Sequence, residues 1–376
     1  MKKLFLSVFA SLVVTANVCA QQWNMVITKT DGTTVNIPTA SIHEVSFAEA
    51  PLEDANVDQL VIKELYNGGC PKDGSGAFQM DKGFIIYNNC SQQAIVNNLC
   101  FGIATPYNGH ANNNNFTEDG DLVYEAEGFI PAQNGIWYYP GALVIEPFSQ
   151  VVVSCMGSID NTQTYSQSVN YANADYYCMY DPESGYNLTS YYPTPADVIP
   201  TSHYLKAVKY GQGTAWMLSM NSPAFFMFQI KDSEPEAYAL DTDNHWYGVG
   251  EAQNDINRCI KVPVEWVIDG MEVFDATRLS DSKKRLTADV DAGYVALTNK
   301  LGHTLYRNVD KEATEALAEN AGKLVYNYAL GVDNSTDPSG IDAEASVKQG
   351  AHIVYLDTNN STADFHERQK FSIRGE

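Results

Sequence analysis

The sequence predicts an all-β protein, a sandwich with long insertions and one short helix, preceded by a small β-hairpin unit. Short runs of β-branched and aromatic residues recur along the chain, and Gly, Asn, Asp and Pro separate them. Hydrophobic residues make up 44% of the 376 positions and aromatic ones 11%, which is enough to bury a core. Only one segment has the apolar spacing and the end signals of a helix.

The first 20 residues have the layout of a signal peptide. Lys2 and Lys3 provide a positive start, an apolar run follows, and Val18-Cys19-Ala20 supplies small residues before Gln21. We therefore expect cleavage after Ala20 and export to the periplasm or the outer-membrane surface. The alternative is a lipoprotein signal in which Cys19 is acylated.

Residues 21–48 predict the hairpin unit. Met25 to Lys29 and Thr33 to Ile37 are β-prone runs on either side of Asp31-Gly32, a dipeptide typical of tight turns. A third short strand is expected from Glu44 to Phe47. The acidic, Pro-containing segment 49–57 predicts a linker, so that the main body covers residues 58–376.

The main body is predicted to contain ten strands, whose spacing is typical of an antiparallel sandwich or barrel. They are Leu60 to Tyr66, Gly83 to Tyr87, Ala94 to Cys100, Gly141 to Glu146, Gln150 to Cys155, Ala224 to Ile230, Val262 to Ile268, Val295 to Thr298, Lys323 to Tyr328 and His352 to Leu356. The single helix is expected from Lys311 to Ala321, with Asp310 as its N-cap and Gly322 at its end.

Several of these segments resemble the lamin-tail-like domain, an immunoglobulin-like sandwich. LVIKELYNGG from Leu60 and GFIIYNN from Gly83 are similar to its opening strands, and ALVIEPFSQVVVS from Ala142 is similar to a later strand pair. VPVEWVIDGMEVFD from Val262 and GHTLYR from Gly302 are similar to two further segments. The resemblance implies one elaborated lamin-tail-like sandwich over residues 58–376.

The order of these segments and the closing LDTNNSTADFHE, from Leu356, resemble an uncharacterised family of exported Bacteroidetes proteins. Genes of that family often lie beside genes for TonB-dependent outer-membrane receptors. The resemblance therefore implies a TonB-dependent receptor as a partner, and it brings no catalytic residues with it.

Charge and motifs disfavour several classes of function. The net charge of −23 repels nucleic acid and anionic lipid, and no apolar run after the leader is long enough to span a membrane. The sequence has no Gly-x-Ser-x-Gly elbow, no zinc-protease histidine pair and no phosphate-binding glycine loop. A glycosidase stays open, because it needs only two carboxylates at a fixed separation.

Two acidic clusters suggest a structural calcium ion as the only cofactor. Asp119, Asp121 and Glu125 form the first cluster, and Asp241 and Asp243 form the second. Ca²⁺ prefers such oxygen ligands, although neither cluster has the full EF-hand spacing. The alternative is that these residues only shape turns.

Tyrosine crowds the segment from Tyr165 to Tyr210, and a second aromatic cluster lies upstream of it. Aromatic rings with a polar tip suit recognition of a glycan or a peptide. The alternative is that the rings pack in the sheet. The candidate recognition residues are Trp137, Tyr138, Tyr139, Tyr176, Tyr177, Tyr191 and Tyr192.

These patterns predict a non-enzymatic, exported binding or accessory protein, and the resemblance implies that it works in a TonB-dependent uptake system. The alternatives are a secreted glycan-active hydrolase and a structural or adhesive surface protein. Six cysteines would remain after cleavage, and their spacing specifies no disulfide pairing.

Overall fold

Residues 23–28, 32–43 and 52–375 are described by the structure, a computed structural model of the chain. The predicted signal peptide, the third hairpin strand and the start of the linker lie outside these residues. The chain divides into two units, and the larger one begins at Leu52. Ala55 already pairs with Ile95 through two backbone hydrogen bonds, so the end of the predicted linker belongs to the larger unit.

The smaller unit contains the expected hairpin. Strands β1 (Asn24–Thr28) and β2 (Thr34–Pro38) pair antiparallel, with Met25 opposite Ile37. Gly32 has a φ of +83°, a value that a side chain would disfavour, and it lies in the connection between the two strands.

The described part of the larger unit contains nineteen strands and four short α-helices. The strands are β3 Leu60–Tyr66, β4 Cys70–Pro71, β5 Ala77–Phe78, β6 Gly83–Asn88, β7 Ala94–Asn97, β8 Leu99–Ile103, β9 Phe129–Gln133, β10 Gly135–Tyr138, β11 Ala142–Ile145, β12 Gln150–Ser154, β13 Tyr177–Met179, β14 Tyr204–Lys209, β15 Ala224–Gln229, β16 His245–Tyr247, β17 Arg258–Pro263, β18 Val267–Asp275, β19 Val295–Leu297, β20 Thr304–Arg307 and β21 Phe365–Arg368. The helices are α1 Pro235–Leu240, α2 Lys311–Ala316, α3 Ala343–Lys348 and α4 Ser361–Asp364.

One twelve-stranded sheet forms the frame of this unit, in the order β19-β18-β15-β8-β10-β14-β13-β12-β6-β3-β20-β21. The sheet folds back on itself, because β18 packs beside β3 and β19 beside β21. This gives a sandwich-like arrangement and confirms the all-β class. The sheet is mixed rather than purely antiparallel as expected, since β13 runs parallel to both β12 and β14, and β19 runs parallel to β18.

The main hydrophobic core lies on the inner face of strand β3 and its neighbours. Leu60, Ile62 and Leu65 point into this core, whereas Val61 and Tyr66 pack on the opposite face. Leu65 follows Ile62 by three positions, and not by the two of a regular strand, because a β-bulge at Lys63 interrupts the pairing with β6. The regular alternation of inward and outward side chains in β3 therefore ends at Ile62.

Two predicted strands are each divided in the structure. Ala94 to Cys100 breaks at Asn98, which has a φ of +53°, so β7 pairs with β11 while β8 joins the large sheet. Val262 to Ile268 breaks at a 3-10 turn, Val264–Trp266, between β17 and β18. The predicted strands Lys323 to Tyr328 and His352 to Leu356 make only isolated bridges, at Tyr326 and Tyr355.

The predicted helix begins where expected but ends early. The Asp310 carboxylate accepts a hydrogen bond from the Ala313 N–H at 2.9 Å and caps α2. Leu317 is extended, which ends α2 at Ala316, and Gly322 has the expected left-handed φ. Three further helices accompany α2, and no helix among the described residues has the length and apolar character needed to cross a bilayer.

All six cysteines among the described residues of the larger unit are free thiols. Five of them are buried, and Cys90 is partly exposed. Burial raises the pKa of Cys155 to about 12 and keeps that thiol protonated at neutral pH.

A buried arginine holds the two layers together. The Arg307 guanidinium in β20 pairs with the Asp269 carboxylate in β18, and its Nε donates to the Ile62 carbonyl at 2.8 Å. Its Nη1 donates to the Leu356 carbonyl at 2.8 Å, and the Asp364 carboxylate lies 3.8 Å away. One side chain thus links three strands and the C-terminal segment.

His366 in β21 belongs to a second buried polar network. Its Nδ1 lies 2.8 Å from the Asn308 Oδ1, and its Nε2 lies 2.6 Å from the Tyr328 hydroxyl. Burial, assisted by the Arg368 guanidinium, lowers the pKa of His366 to about 3. The imidazole is therefore neutral at physiological pH.

We expect Arg307→Met to lower the free energy of unfolding by about 3–5 kcal/mol, because Asp269 would become an uncompensated buried charge. Arg278→Met is the matched control, since the Arg278–Asp281 pair is exposed and should contribute less than about 1 kcal/mol. Urea unfolding of both variants measures the difference. Equal losses would contradict the assigned role of Arg307.

The wild-type protein should lose stability as the pH falls below the ordinary pKa of histidine. The reason is that His366 binds a proton in the unfolded state at a pH where the buried His366 of the folded state stays neutral. The loss from this group should reach about 1.36 kcal/mol per pH unit and continue towards pH 3. His366→Gln keeps hydrogen-bonding groups but does not titrate. Its unfolding free energy, measured between pH 6.5 and 5, should fall less steeply, and parallel curves would refute the assignment.

Candidate functional site

The candidate site is built on three neighbouring strands of the large sheet. Strand β14 lies between β10 and β13, with Tyr138 opposite Lys206 and Cys178 opposite Tyr204. The chain leaves β10 at Tyr139, leaves β13 at Tyr180 and enters β14 at Tyr204. These three tyrosines therefore lie close together at one end of the three strands.

A pocket of about 440 Å³ opens at this end of the three strands, and we call it the aromatic pocket. Aromatic rings, proline rings and short polar side chains form its walls. The lining residues are Tyr139, Pro140, Tyr180, Asp181, Pro182, Glu183, Thr201, Ser202, Tyr204 and Lys206.

The rings of the aromatic pocket are fixed by contacts with one another. Tyr180 and Tyr204 meet edge to face with ring centroids 5.5 Å apart. Tyr139 meets Tyr177 in the same way at 5.5 Å, and Tyr177 in turn stacks on His203 at 4.1 Å. Such contacts hold the ring planes in place before a ligand arrives.

The polar groups of the aromatic pocket have defined partners. Asp181 is buried, and its Oδ2 accepts a hydrogen bond from the Ala207 N–H at 3.0 Å. Its Oδ1 lies 3.3 Å from the Lys206 Nζ. Burial raises the pKa of Tyr204, so its hydroxyl stays neutral and can both donate and accept hydrogen bonds.

The groups that line the aromatic pocket can bind a ligand with apolar and polar parts. Ring faces can pack against the C–H groups of a ligand, and the Lys206 ammonium and the Thr201, Ser202 and tyrosine hydroxyls can bond its polar groups. Asp181 has both oxygens engaged by the protein and holds Lys206 in place.

The structure brings only part of the predicted recognition set to this pocket. Tyr139 lines it, and Tyr177 supports Tyr139 from beside it. Trp137 and Tyr192 are buried in the main core, where their rings lie 5.7 Å apart. Tyr176 is also buried, in a smaller cluster on the opposite face of the sheet.

The remaining two predicted residues also lie away from the pocket lining. Tyr138 packs against a second core cluster, and burial raises its pKa to about 12. Tyr191 is half-buried against the main core. Most of the seven candidate recognition residues therefore pack within or against the hydrophobic cores.

Sequence reasoning selected only Tyr139 of the lining residues, and Tyr180, Tyr204 and Lys206 are the most important of those that it missed. One local signal could have found the first of them. In Tyr139-Pro140 and Tyr180-Asp181-Pro182 an aromatic residue directly follows a strand, and a proline comes one or two positions later and prevents the strand from continuing. Nothing in the sequence indicates that β10 and β13 flank the same strand.

The two predicted calcium clusters are not assembled into metal sites. Asp119, Asp121 and Glu125 are exposed. The Asp241 Oδ1 accepts a hydrogen bond from the Asp243 N–H at 3.0 Å and so begins a 3-10 turn. Within residues 52–375 and the hairpin, no three His, Cys, Asp or Glu side chains are placed to hold a metal ion together.

Comparison with known proteins gives a family but no activity. A crystal structure of a DUF4876 family protein from Bacteroides thetaiotaomicron superposes with a TM-score of 0.58 at 17% identity, covering 91% of this chain and 80% of that one. This likeness shows a shared fold. Among curated proteins, none matches the chain. The model of the family described as "Protein of unknown function (DUF4876)" matches residues 146–372, which is more than half of the sequence, and the chain therefore belongs to the DUF4876 family.

Proposed function

We propose that this protein is an exported, non-enzymatic binding protein that works with a TonB-dependent receptor of the outer membrane, and that its aromatic pocket holds a saccharide. The observation that carries the proposal is the pocket itself, in which three tyrosines and two prolines surround a paired lysine and aspartate. Its volume of about 440 Å³ lies in the range of small-ligand pockets.

The chemistry of the aromatic pocket favours a saccharide as its ligand. A sugar ring has apolar C–H faces and polar edges, so it can pack on Tyr180 or Tyr204 while its hydroxyls bond to Thr201, Ser202 or Lys206. The rings are already held in place, which lowers the entropy cost of binding.

The place of action is inferred from the sequence. The layout of residues 1–20 supports export, and the resemblance to exported lamin-tail-like Bacteroidetes proteins supports the receptor as partner. The lamin-tail-like, immunoglobulin-like origin of the sandwich is part of the same proposal.

Binding should depend on the pocket tyrosines. Tyr180→Ala and Tyr204→Ala should each weaken binding to an oligosaccharide from a glycan array by about tenfold, because a stacking surface is lost. Tyr294→Ala is the matched control, since Tyr294 is 39% exposed and stacks on Phe274 outside the pocket. Isothermal titration measures the three affinities.

Tyr192→Ala separates packing from recognition in the same experiment. Tyr192 is 4% exposed, and its hydroxyl oxygen accepts a hydrogen bond from the backbone N–H of Trp216 at 2.8 Å. Removal of this side chain should therefore lower the free energy of unfolding by about 3–5 kcal/mol. If Tyr204→Ala unfolds the protein in the same way, or leaves saccharide binding unchanged, the pocket does not have the proposed role.

The receptor partnership has its own test. Cross-linking of native cell envelopes, followed by mass spectrometry, should recover a TonB-dependent receptor attached to this chain. The hydrolase alternative predicts the opposite result, in which no receptor is recovered and the purified protein cleaves a glycan.

A further inference from the structure

A second pocket lies at the other end of the strands that carry the aromatic pocket. Strand β8 begins beside Tyr138 of β10, near the aromatic pocket, and it ends where β15 begins and β18 ends. A pocket of about 370 Å³ opens beyond these strand ends, and we call it the basic pocket. It shares no lining residue with the aromatic pocket.

Segments that connect the strands form the walls of the basic pocket. Asn221 comes just before β15, Arg278 follows β18, and Lys300 follows β19. Because β19 runs parallel to β18, the segments after these two strands leave the sheet at the same end. His110, from the segment after β8, also lines the pocket. Residues that are far apart in the sequence are therefore brought to one place by the topology of the sheet.

The charge of the basic pocket is opposite to that of the whole chain. The sequence has 46 acidic and 23 basic side chains, but among the described residues that line this pocket Arg278 and Lys300 face a single carboxylate, that of Asp275. No tyrosine, tryptophan or phenylalanine belongs to this lining, so the pocket lacks the stacking surfaces of the aromatic pocket. Its ligand should be polar and negatively charged.

The single carboxylate is already engaged by the protein. The Asp275 Oδ1 accepts hydrogen bonds from the backbone N–H and the hydroxyl of Thr277, at 2.8 and 2.6 Å. Its Oδ2 accepts a hydrogen bond from the Asn299 Nδ2 at 3.1 Å. The same Asn299 amide donates to the Asn221 Oδ1 at 3.1 Å, which leaves the Asn221 Nδ2 as a donor without an acceptor among the described residues.

The two cations of the basic pocket also keep free donors. The Lys300 ammonium has no hydrogen bond and no ion pair with any described residue. The Arg278 Nε donates to the Asp281 carboxylate at 2.9 Å, which leaves both of its terminal nitrogens without an acceptor in the described part of the chain. A guanidinium can use these nitrogens for a second anion.

Lys300 lies at a backbone position that disfavours lysine. Its φ is +68°, in the left-handed region that glycine and asparagine adopt more easily. The Lys300 N–H donates to the Gly68 carbonyl at 2.8 Å, and this bond holds the segment in place. A residue held in such a conformation, with an unpaired charge beside a pocket, is typical of a segment that binds a ligand.

We propose that the basic pocket binds a tetrahedral oxyanion, a phosphate or a sulfate, either free or as the ester of a small hydrophilic molecule. Lys300, Arg278 and Asn221 can donate from three separate segments, and an anion of this shape has one terminal oxygen for each of them. A carboxylate has only two oxygens, and they lie in one plane. The proposal goes beyond the saccharide site and does not rest on it.

The test uses the full chain with inorganic phosphate, inorganic sulfate and glycerol 3-phosphate as probes. Isothermal titration should show that at least one of them binds at millimolar concentration or below, and comparison of the three distinguishes phosphate from sulfate and a free anion from an ester. Glycerol has no charge and should not bind. Glycerate carries a carboxylate and should bind at least about tenfold more weakly than the best probe.

Two lysine variants place the binding in this pocket. Lys300→Gln should lower the affinity for the best probe by about tenfold, because one charged donor is lost. Lys348→Gln is the matched control, since Lys348 is an exposed lysine of α3 that does not line the basic pocket. This control should bind the probe as the wild type does.

Lys300→Gly separates binding from folding. Glycine suits a φ of +68°, so this variant should keep the wild-type melting temperature. It should nevertheless lose as much affinity as Lys300→Gln, because both variants lack the ammonium. A lysine with a purely structural role would not give this combination.

Three results would overturn the proposal. They are no binding of phosphate, sulfate or the ester at millimolar concentration, binding of glycerate as tight as that of the best probe, and undiminished binding by both variants of Lys300. Tyr204→Ala should leave oxyanion binding unchanged, so failure at the basic pocket and failure at the aromatic pocket are distinguishable.

Discussion

The buried pair of Arg307 and Asp269 is the constraint on which the rest of the larger unit depends. A twelve-stranded sheet that folds back on itself must bring distant strands together, and this pair joins β20 to β18 at the point of return. Asp269 also accepts the Ile62 N–H at 2.6 Å, so β3 is held at the same place. The planar guanidinium can serve several acceptors at once, which a lysine could not do.

The aromatic pocket derives its rigidity from this folded sheet. It lies where three strands near the middle of the sheet begin or end. Its charged pair is fixed from inside the protein, because Asp181 accepts the Ala207 N–H and lies 3.3 Å from the Lys206 Nζ. On the outer face of β3 and its neighbours, Glu344 is likewise held by Arg368.

The sequence predicted what short-range chemistry decides. The β class, strands such as Leu60–Tyr66 and the Asp310 cap of α2 follow from local propensity and hydrogen bonding. The bulge at Lys63, the break at Asn98 and the parallel placement of β13 depend on partners far away in the chain. Tyrosine composition likewise could not separate the site from the core, because buried Tyr192 and pocket-lining Tyr204 occur in similar polar surroundings in the sequence.

The single inserted residue in β3 also limits how this strand can vary during evolution. Lys63 and Glu64 lie on one face only because the bulge delays the alternation by one position. Deletion of either residue would restore a regular strand and leave Leu65 in the main core and Tyr66 on the opposite face. A one-residue change in the regular part of the strand would instead exchange the inward and outward side chains beyond it. The bulge is therefore the place where this strand tolerates a change in length.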